Sequence, residues 1–397
     1  MNAPPRATLA SFGALSFAYF ASIGLFNPYA PLWLQSLGFS TLAIGSIASL
    51  QSWTRVVMPY AWSWLGDHSG QRERLMRVGA AGALASGCAL LWARDYGQVA
   101  LVVALLYAFN GAIVPLSEAA LARHLGGADT FDAGRYGRVR VWGSLGFVLS
   151  VLAAGAVLER TGVSWFPVAV IVVGAGLLAA VWRLPLRREA VTAGGAAPAV
   201  LPVLRQPVVR WFFLSVALTV LAHTSLYAFF SLFLESRGFD KASVGLFWAL
   251  SIVFEILFFW MQGRWFDRLT PWRWLQLAAA MTALRFAALA VAGQWTAVLV
   301  LTQASHAITF AAHHAACTQL LHKHFPGRLR GRGQALYSTL GYGLPGVLGG
   351  VGGGWLLQHA SYEALYAAAS AAALLAWACA WRAWTHHERA SGNLPVH

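Results

Sequence analysis

The chain has 397 residues, of which 58% are apolar and only 11% are charged. A soluble globular protein carries about 25% charged residues, so this composition argues against a soluble enzyme and favours a protein that lipid surrounds. The formal net charge is +14, and the basic residues lie in short clusters between long apolar runs. This pattern is typical of a membrane topology signal rather than of a groove that binds nucleic acid.

Apolar runs fill most of the chain. A helix that crosses a bilayer needs about 20 mostly apolar residues, and twelve runs reach that length. The sequence therefore predicts an all-α membrane protein with twelve transmembrane helices. The runs lie at 8–34, 41–65, 75–93, 97–123, 138–158, 165–182, 208–234, 242–263, 274–292, 295–321, 333–357 and 362–384.

The basic residues indicate how these helices are oriented. If the N-terminus is cytoplasmic, 22 of the 28 Lys and Arg residues fall on the cytoplasmic side and 4 on the other side. Cytoplasmic loops carry such an excess, so both termini are predicted to be cytoplasmic and the location to be a bacterial inner membrane. The first run is too long for a signal-peptide core, and we expect it to remain as a helix in the mature chain.

One segment between predicted helices differs from the others. Residues 183–207 are rich in Pro, Gly and Ala and carry a basic cluster, which is typical of a flexible linker. The sequence therefore predicts an N-terminal six-helix bundle at 1–182, a cytoplasmic linker at 183–207 and a C-terminal six-helix bundle at 208–397.

The two halves of the chain repeat each other. Residues 32–39 align with residues 232–239 at an offset of 200, and Asp67 and Asp267 keep that offset. A parallel six-helix repeat predicts two lobes related by a pseudo-twofold axis along the membrane normal, with a central site at their interface. Chance similarity between apolar helices does not explain the shared loop residues.

A loop motif occurs at matching places in the two halves. The first copy holds Asp67 and Arg72, and the second holds Gly263, Asp267 and Arg268. Both copies resemble the loop after the second and eighth helices of the major facilitator superfamily, where it acts as a cytoplasmic latch. The first copy has a serine where the motif expects glycine.

Further stretches extend the resemblance over nearly the whole chain. Within the superfamily the sequence looks like the phenylpropionate permease group, which is related to the proton-coupled lactose and nucleoside symporters. The resemblance implies a carrier that works by alternating access. The stretches that support it lie at 28–34, 115–119, 136–144, 244–255 and 306–314.

Four ionisable residues lie inside predicted membrane helices: Arg55, Glu118, Glu255 and Arg285. Each would cost about 2.5–3.5 kcal/mol at the bilayer centre if unpaired. We therefore expect Arg55 to lie near Glu118 and Glu255 to lie near Arg285. Such pairs either hold helices together or titrate during transport, when separation of the partners lets the carboxylate take a proton.

Glu118 shares a helical face with other polar positions. Asn110 flanks this face, and Pro115 removes a backbone hydrogen bond close to it. We interpret this face as one wall of the central cavity, whereas the alternative is a polar contact between two helices.

Histidines form a second cluster of candidates. On an ideal helix His306 and His313 share a face, whereas the family resemblance favours His306 with His314. His223 lies in the seventh predicted helix, with Tyr227 one turn further on. Histidine titrates near physiological pH, so these residues could relay protons or donate to an anionic substrate, although a lone histidine in an apolar helix is often only a core residue.

These features favour a secondary transporter over an enzyme. We expect proton symport of a small organic anion, such as an aromatic carboxylate, by a monomer that needs no cofactor and no metal. The alternatives are a sugar or nucleoside symporter, an efflux carrier for metabolites or drugs, and, more remotely, a membrane enzyme that uses the histidines. The expected partners are a small-molecule substrate, a proton and the lipid bilayer, and no nucleic acid.

Overall fold

The computed structural model describes residues 6–125, 133–186 and 199–390, and every regular element within these ranges is helical. Residues 187–198, about half of the predicted linker, lie outside the described part of the chain, and the C-terminal end of the linker includes one short helix. The α-helices are α1 (Arg6–Ser36), α2 (Thr41–Ser69), α3 (Arg72–Ala89), α4 (Tyr96–Asn110), α5 (Ile113–His124), α6 (Ala133–Thr161), α7 (Phe166–Trp182), α8 (Leu201–Leu204), α9 (Pro207–Ser236), α10 (Lys241–Met261), α11 (Pro271–Ala292), α12 (Thr296–Ala304), α13 (His313–His324), α14 (Arg330–Leu336), α15 (Leu344–His359) and α16 (Tyr362–Ala390).

Eight segments of the described chain are long and apolar enough to cross a membrane. They correspond to eight of the twelve predicted runs. The other four runs fall on α2, on α3 and on two stretches that π-helical segments interrupt. The number of twelve crossings therefore stays a prediction.

The predicted fourth run is two helices rather than one. Helix α4 ends at Asn110, and α5 begins at Ile113 after a turn at Gly111. Pro115 lies in the first turn of α5, where a missing backbone N–H disturbs no helical hydrogen bond. The break therefore lies between Asn110 and Glu118, two of the predicted site residues.

The tenth and eleventh predicted runs each contain a π-helical segment. The first, Ala307–Ala312, joins the region of α12 to α13, and the second, Tyr337–Gly343, joins α14 to α15. A π-helix has a wider turn than an α-helix and is frequent at functional sites. Apolar periodicity gave no sign of either segment, and both change which side chains share a face.

The two loop-motif regions end in different ways. Helix α2 ends at Gly70, which adopts a positive φ of 62° that favours glycine. After the second copy, Thr270 caps α11 by accepting a hydrogen bond from the Arg273 backbone N–H, and Pro271 is its first residue. Pro271 thus lies at a helix start, where proline is favoured.

The chain divides into two compact units, each with its own apolar core. Unit 1 comprises Met1–Ala193 and Leu234–Ala249, and unit 2 comprises Gly194–Phe233 and Leu250–His397. In unit 1, α1 approaches α6 so closely that a Cβ at Gly24 would lie 2.6 Å from the Phe147 carbonyl oxygen. In unit 2, α16 packs along α11, and the Ser370 hydroxyl donates to the Ala283 carbonyl at 2.9 Å. The two predicted lobes, 1–182 and 208–397, stay a prediction.

Candidate functional site

The centre of the candidate site in unit 2 is Arg285, which α11 places in the interior. The residue is 2% exposed. One terminal nitrogen, Nη1, donates to Nδ1 of His306 at 3.0 Å and to the Thr309 hydroxyl at 3.1 Å. The other, Nη2, donates to Oε1 of Gln303 at 3.3 Å. All three acceptors are uncharged, so this buried cation is held by neutral groups.

The bond from Arg285 fixes the protonation of His306. A guanidinium can only donate, so Nδ1 of His306 accepts and carries no proton. The proton of the neutral ring therefore lies on Nε2. That nitrogen is 3.8 Å from Oε2 of Glu255, whose side chain is 20% exposed. His306 thus stands between a buried cation and a partly exposed carboxylate.

The expected pairing of Glu255 with Arg285 needs correction. Both residues lie in the same cluster, but the ion-pair partner that the structure gives to Glu255 is His306, which also accepts from Arg285. The imidazole relays the interaction between the two charges. Spacing along the sequence could not reveal this arrangement of Glu255, His306 and Arg285, because three different helical segments supply the three residues.

His223 lies against this cluster. Its Nδ1 donates to the Thr219 carbonyl at 2.9 Å, one turn earlier in α9. The centre of its ring is 6.3 Å from that of His306 and 6.1 Å from that of Tyr227, while the ring of Phe286 meets it edge-on at 5.6 Å. Both sequence candidates of this helix, His223 and Tyr227, therefore reach the Arg285 cluster.

The π-helical segment decides which histidines share a face. The rings of His306 and Phe310 stack at 5.1 Å, and those of Phe310 and His314 stack at 6.2 Å. His314 therefore lies on the same helical face as His306, and His314 is exposed. His313 is buried and lies 3.7 Å from Sγ of Cys317. Ideal α-helical geometry had favoured His306 with His313, which fails here because the turn is wider.

Unit 1 holds a second charged cluster, which corrects the other expected pair. Glu118 lies 3.9 Å from Nη1 of Arg140 and accepts a hydrogen bond from Tyr136. Arg55, the partner expected for Glu118, lies instead within electrostatic reach of the Tyr19 and Tyr107 hydroxyl groups. The guanidinium of Arg140 also stacks 4.9 Å above the ring of Phe20.

A small pocket opens at this cluster in unit 1. Its lining combines the Glu118–Arg140 pair with aromatic side chains, and the residues that matter here are Tyr19, Phe20, Glu118, Tyr136 and Arg140. Asn110, expected to flank this face, is 8% exposed at the end of α4, and its side-chain oxygen has no hydrogen-bond partner in the described part of the chain.

The predicted latch residues occupy helix ends. Arg72, at the start of α3, donates to the carboxylate of Asp67, near the end of α2. In the second copy, Gly263 lies in the 3₁₀ turn Gln262–Arg264, and Asp267 and Arg268 lie in the 3₁₀ turn Phe266–Arg268. Each copy thus occupies the connection that follows a long helix.

Sequence reasoning missed several residues of both clusters. Gln303 and Thr309 flank His306 at spacings of three residues, and this regular polar pattern was the signal that could have found them. Arg140 was counted only as a basic residue of the cytoplasmic side, although its guanidinium reaches Glu118. A long arginine side chain places its charge far from its Cα atom. Assigning basic residues to one side of the membrane therefore did not reveal that Arg140 reaches Glu118.

Comparison with known proteins identifies the family. The sequence profile of the MFS_1 like family matches residues 9–368. The chain belongs to this family. It is a multi-pass membrane transporter of small molecules, not an enzyme.

Two named relatives resemble the transporter along most of its length. Maltose permease of Geobacillus stearothermophilus is 28% identical over 367 residues, which are 89% of either chain. The probable 3-phenylpropionic acid transporter of Escherichia coli is 28% identical over 358 residues, covering 86% of this chain and 89% of that protein.

Solved structures show the same fold. A mutant form of the nucleoside transporter NupG superposes with a TM-score of 0.82 at 17% identity, covering 94% of this chain and 99% of that one. A proton-dependent oligopeptide transporter superposes with a TM-score of 0.73 at 15% identity, covering 96% of this chain and 99% of the other. At these identities the likeness concerns the fold alone.

Proposed function

We propose that this transporter carries a small organic anion together with a proton by alternating access. The observation that supports the anion is Arg285, a cation that is 2% exposed and bonded to three neutral acceptors. A buried charge without a direct counter-ion is costly. A bound anion would supply that counter-ion, and its departure on the other side of the membrane would restore the present network.

Two unused donors would receive the anion. Neither Nε of Arg285 nor Nε2 of Gln303 has a hydrogen-bond partner in the described part of the chain. Both are side-chain N–H donors of one network, because Arg285 donates to Oε1 of the same Gln303. A carboxylate could accept from both N–H groups without breaking the bonds that Nη1 and Nη2 already make.

An aromatic carboxylate is the substrate that we favour. The guanidinium of Arg285 lies 5.9 Å from the ring of Phe286, and the rings of His306 and Phe310 stack beside it. The name of the Escherichia coli relative, a probable 3-phenylpropionic acid transporter, agrees with this chemistry.

The proton would bind within the network of unit 2. His306, Glu255 and His223 are the titratable groups that lie against one another and near Arg285. Anion binding changes the electrostatic potential at each of them, which is the requirement for coupling. We further propose that the transporter has twelve transmembrane helices in two six-helix lobes, acts as a monomer, lies in the bacterial inner membrane and has both termini in the cytoplasm.

A second candidate function is symport of a sugar or nucleoside. The maltose permease relative favours the sugar. In that case the Glu118–Arg140 pair, rather than Arg285, would bind the hydroxyl groups of the substrate. Efflux of metabolites or drugs by the same fold is a third candidate, and it differs in the direction of coupling.

One experiment separates these candidates. The protein is purified, reconstituted in weakly buffered liposomes and offered radiolabelled 3-phenylpropionate, maltose or uridine. The proposal predicts uptake of 3-phenylpropionate with a rise of external pH, above the rate in protein-free liposomes, because the protonated acid also crosses lipid unaided. Uptake of maltose or uridine with the same pH rise would favour the second candidate, whereas transport without any pH change would contradict proton symport.

A further inference from the structure

One buried ring nitrogen of His223 makes no hydrogen bond within the described part of the chain. The residue is 3% exposed, and its Nε2 has no hydrogen-bond partner in the described part of the chain. A carbonyl can only accept, so the bond to Thr219 keeps the proton of the neutral ring on Nδ1. Nε2 therefore presents a lone pair to the interior. A buried acceptor left without a donor is unfavourable, unless a mobile proton uses it.

The neighbours of His223 include one permanent charge. Its ring contacts are Tyr227 on the same helix, Phe286 on α11 and His306. The side chains of Arg285 and His313 also lie within electrostatic reach of His223. Histidines and tyrosines are neutral in their ordinary forms, so Arg285 is the group whose positive charge opposes a proton on His223.

The other titratable groups of the network are already engaged. Nδ1 of His306 accepts from Arg285, and Nε2 of His306 carries a proton that faces Glu255. Glu255 lies 3.8 Å from the protonated Nε2 of His306, and its side chain is 20% exposed. An anion that accepts from the unused Nε of Arg285 leaves these contacts in place, but it offsets the charge that His223 experiences.

We propose that His223 takes the coupled proton, and that it does so only while an anion is bound at Arg285. This inference rests on the proposed function, which places the anion there. The step forms one N–H bond at Nε2 and breaks one O–H bond of a hydronium ion, which leaves a water molecule, and the ring gains one positive charge. That charge balances the negative charge of the bound anion. Without the anion, Arg285 repels the proton, so the proton does not move alone.

A measurement without any substrate tests the proposal. Histidine labelled with ¹⁵N is incorporated, and the reconstituted protein is followed by NMR between about pH 8 and pH 5, with the His223 resonance assigned by its loss in His223→Gln. We expect this resonance to stay unchanged in the unaltered protein and to show protonation in Arg285→Gln. Arg285→Lys, which keeps the charge, should behave as the unaltered protein does.

An internal reference shows whether the variants are folded. His359 is exposed and makes the same kind of bond, from Nδ1 to the Trp355 carbonyl one turn earlier, at 2.8 Å. At any one pH its resonance should lie at the same position in all samples. A His223 resonance that ignores the loss of the Arg285 charge, or that titrates without anion in the unaltered protein, would overturn the proposal. Because no substrate is added, this result is independent of whether 3-phenylpropionate is transported.

Transport activity is the second measurement. It tests the proposal even when Arg285→Gln does not fold. With an imposed pH gradient, His223→Gln should lose accumulation of 3-phenylpropionate by about tenfold but keep exchange of labelled for unlabelled substrate, which needs no net proton movement. Accumulation at the wild-type level in His223→Gln would refute the role. Loss in Glu255→Gln together with full accumulation in His223→Gln would assign the proton to Glu255 instead.

Discussion

The guanidinium of Arg285 donates to Nδ1 of His306 at 3.0 Å, and this bond turns the proton of His306 toward Glu255. A cation, a neutral imidazole and a carboxylate thereby form one electrostatic unit, although they come from separate helical segments. Disturbing either end of this unit changes the proton affinity of the middle group. The site of unit 2 is therefore better described as a connected network than as two isolated ion pairs.

The first prediction concerns the coupling within that network. In a double-mutant cycle on thermal unfolding in detergent, Arg285→Ala and His306→Ala should be non-additive by about 1–3 kcal/mol. The same cycle between Arg285→Ala and Glu255→Ala should give a smaller coupling energy, because His306 separates these residues. Equal coupling in the two cycles would mean that Arg285 and Glu255 interact directly.

The second prediction concerns a close contact within unit 1. The Tyr29 hydroxyl donates to the Val151 carbonyl at 2.8 Å and to the Lys241 carbonyl at 3.1 Å. A Cβ at Gly155 would lie 2.6 Å from both the Tyr29 hydroxyl and the Lys241 carbonyl oxygen. Gly155→Ala should therefore destabilise the protein by about 1–3 kcal/mol.

Two further variants make this measurement specific. Adding Tyr29→Phe should recover part of the melting temperature, because it removes one of the two atoms that the new methyl group meets. Gly176→Ala is the matched control, since no atom lies within 4 Å of the added Cβ in helix α7. It should be neutral or raise stability by about 0.5–1 kcal/mol. A Gly155→Ala protein as stable as the control would contradict the close contact.

The third prediction separates stability from transport at the pocket of unit 1. The side chains of Glu118 and Arg140 are 37% and 51% exposed, so their ion pair should contribute only about 0–1 kcal/mol to stability. Glu118→Gln should thus leave the melting temperature nearly unchanged while lowering uptake of 3-phenylpropionate, if the substrate uses this pocket.

A matched variant controls for the loss of a carboxylate elsewhere in unit 1. Glu235 lies 3.6 Å from Lys241 with a similarly exposed side chain, 38% against 37% for Glu118. Glu235→Gln should preserve both melting temperature and uptake. If Glu118→Gln and Glu235→Gln transport equally well, the pocket at Glu118 has no part in substrate binding.

The fourth prediction is a pH dependence of stability at the end of α13. Burial, together with the charges of Lys323 and His387, lowers the pKa of His324 to about 4. The folded protein therefore binds this proton less readily than the unfolded chain, whose histidines titrate near pH 6.5. The contribution is complete above about pH 6.5 and is lost as the pH falls toward 4.

His324→Gln should flatten this fall in the melting temperature between about pH 6.5 and pH 4. The exposed His359 serves as the control, because its replacement by Gln should leave the slope unchanged. A slope that His324→Gln does not alter would assign the acid sensitivity to other groups.

Much of the fold followed from patterns that act locally. The length of the apolar runs predicted the helices. The loop motifs indicated the family before any comparison was made. The number of crossings and the division into lobes depend on more than local pattern, and they stay predictions.

The site was predicted as a set of residues but not as an arrangement. Charged and titratable groups in apolar helices are rare enough to stand out, so Glu255, Arg285, His223 and His306 were visible in the sequence. The partner of each of these groups was not visible in the sequence. Arg140 rather than Arg55 pairs with Glu118, and His306 stands between Glu255 and Arg285.

The sequence by itself determined that this chain is a membrane protein, that it is helical and which polar side chains need partners inside the membrane. Those properties follow from the free energy of transferring each residue from water, which depends on composition and order alone. Only the tertiary structure decided which groups meet. A π-helical turn at Ala307–Ala312 rotates His314 into line with His306, because a wider turn changes the angle between successive side chains and no local pattern records it.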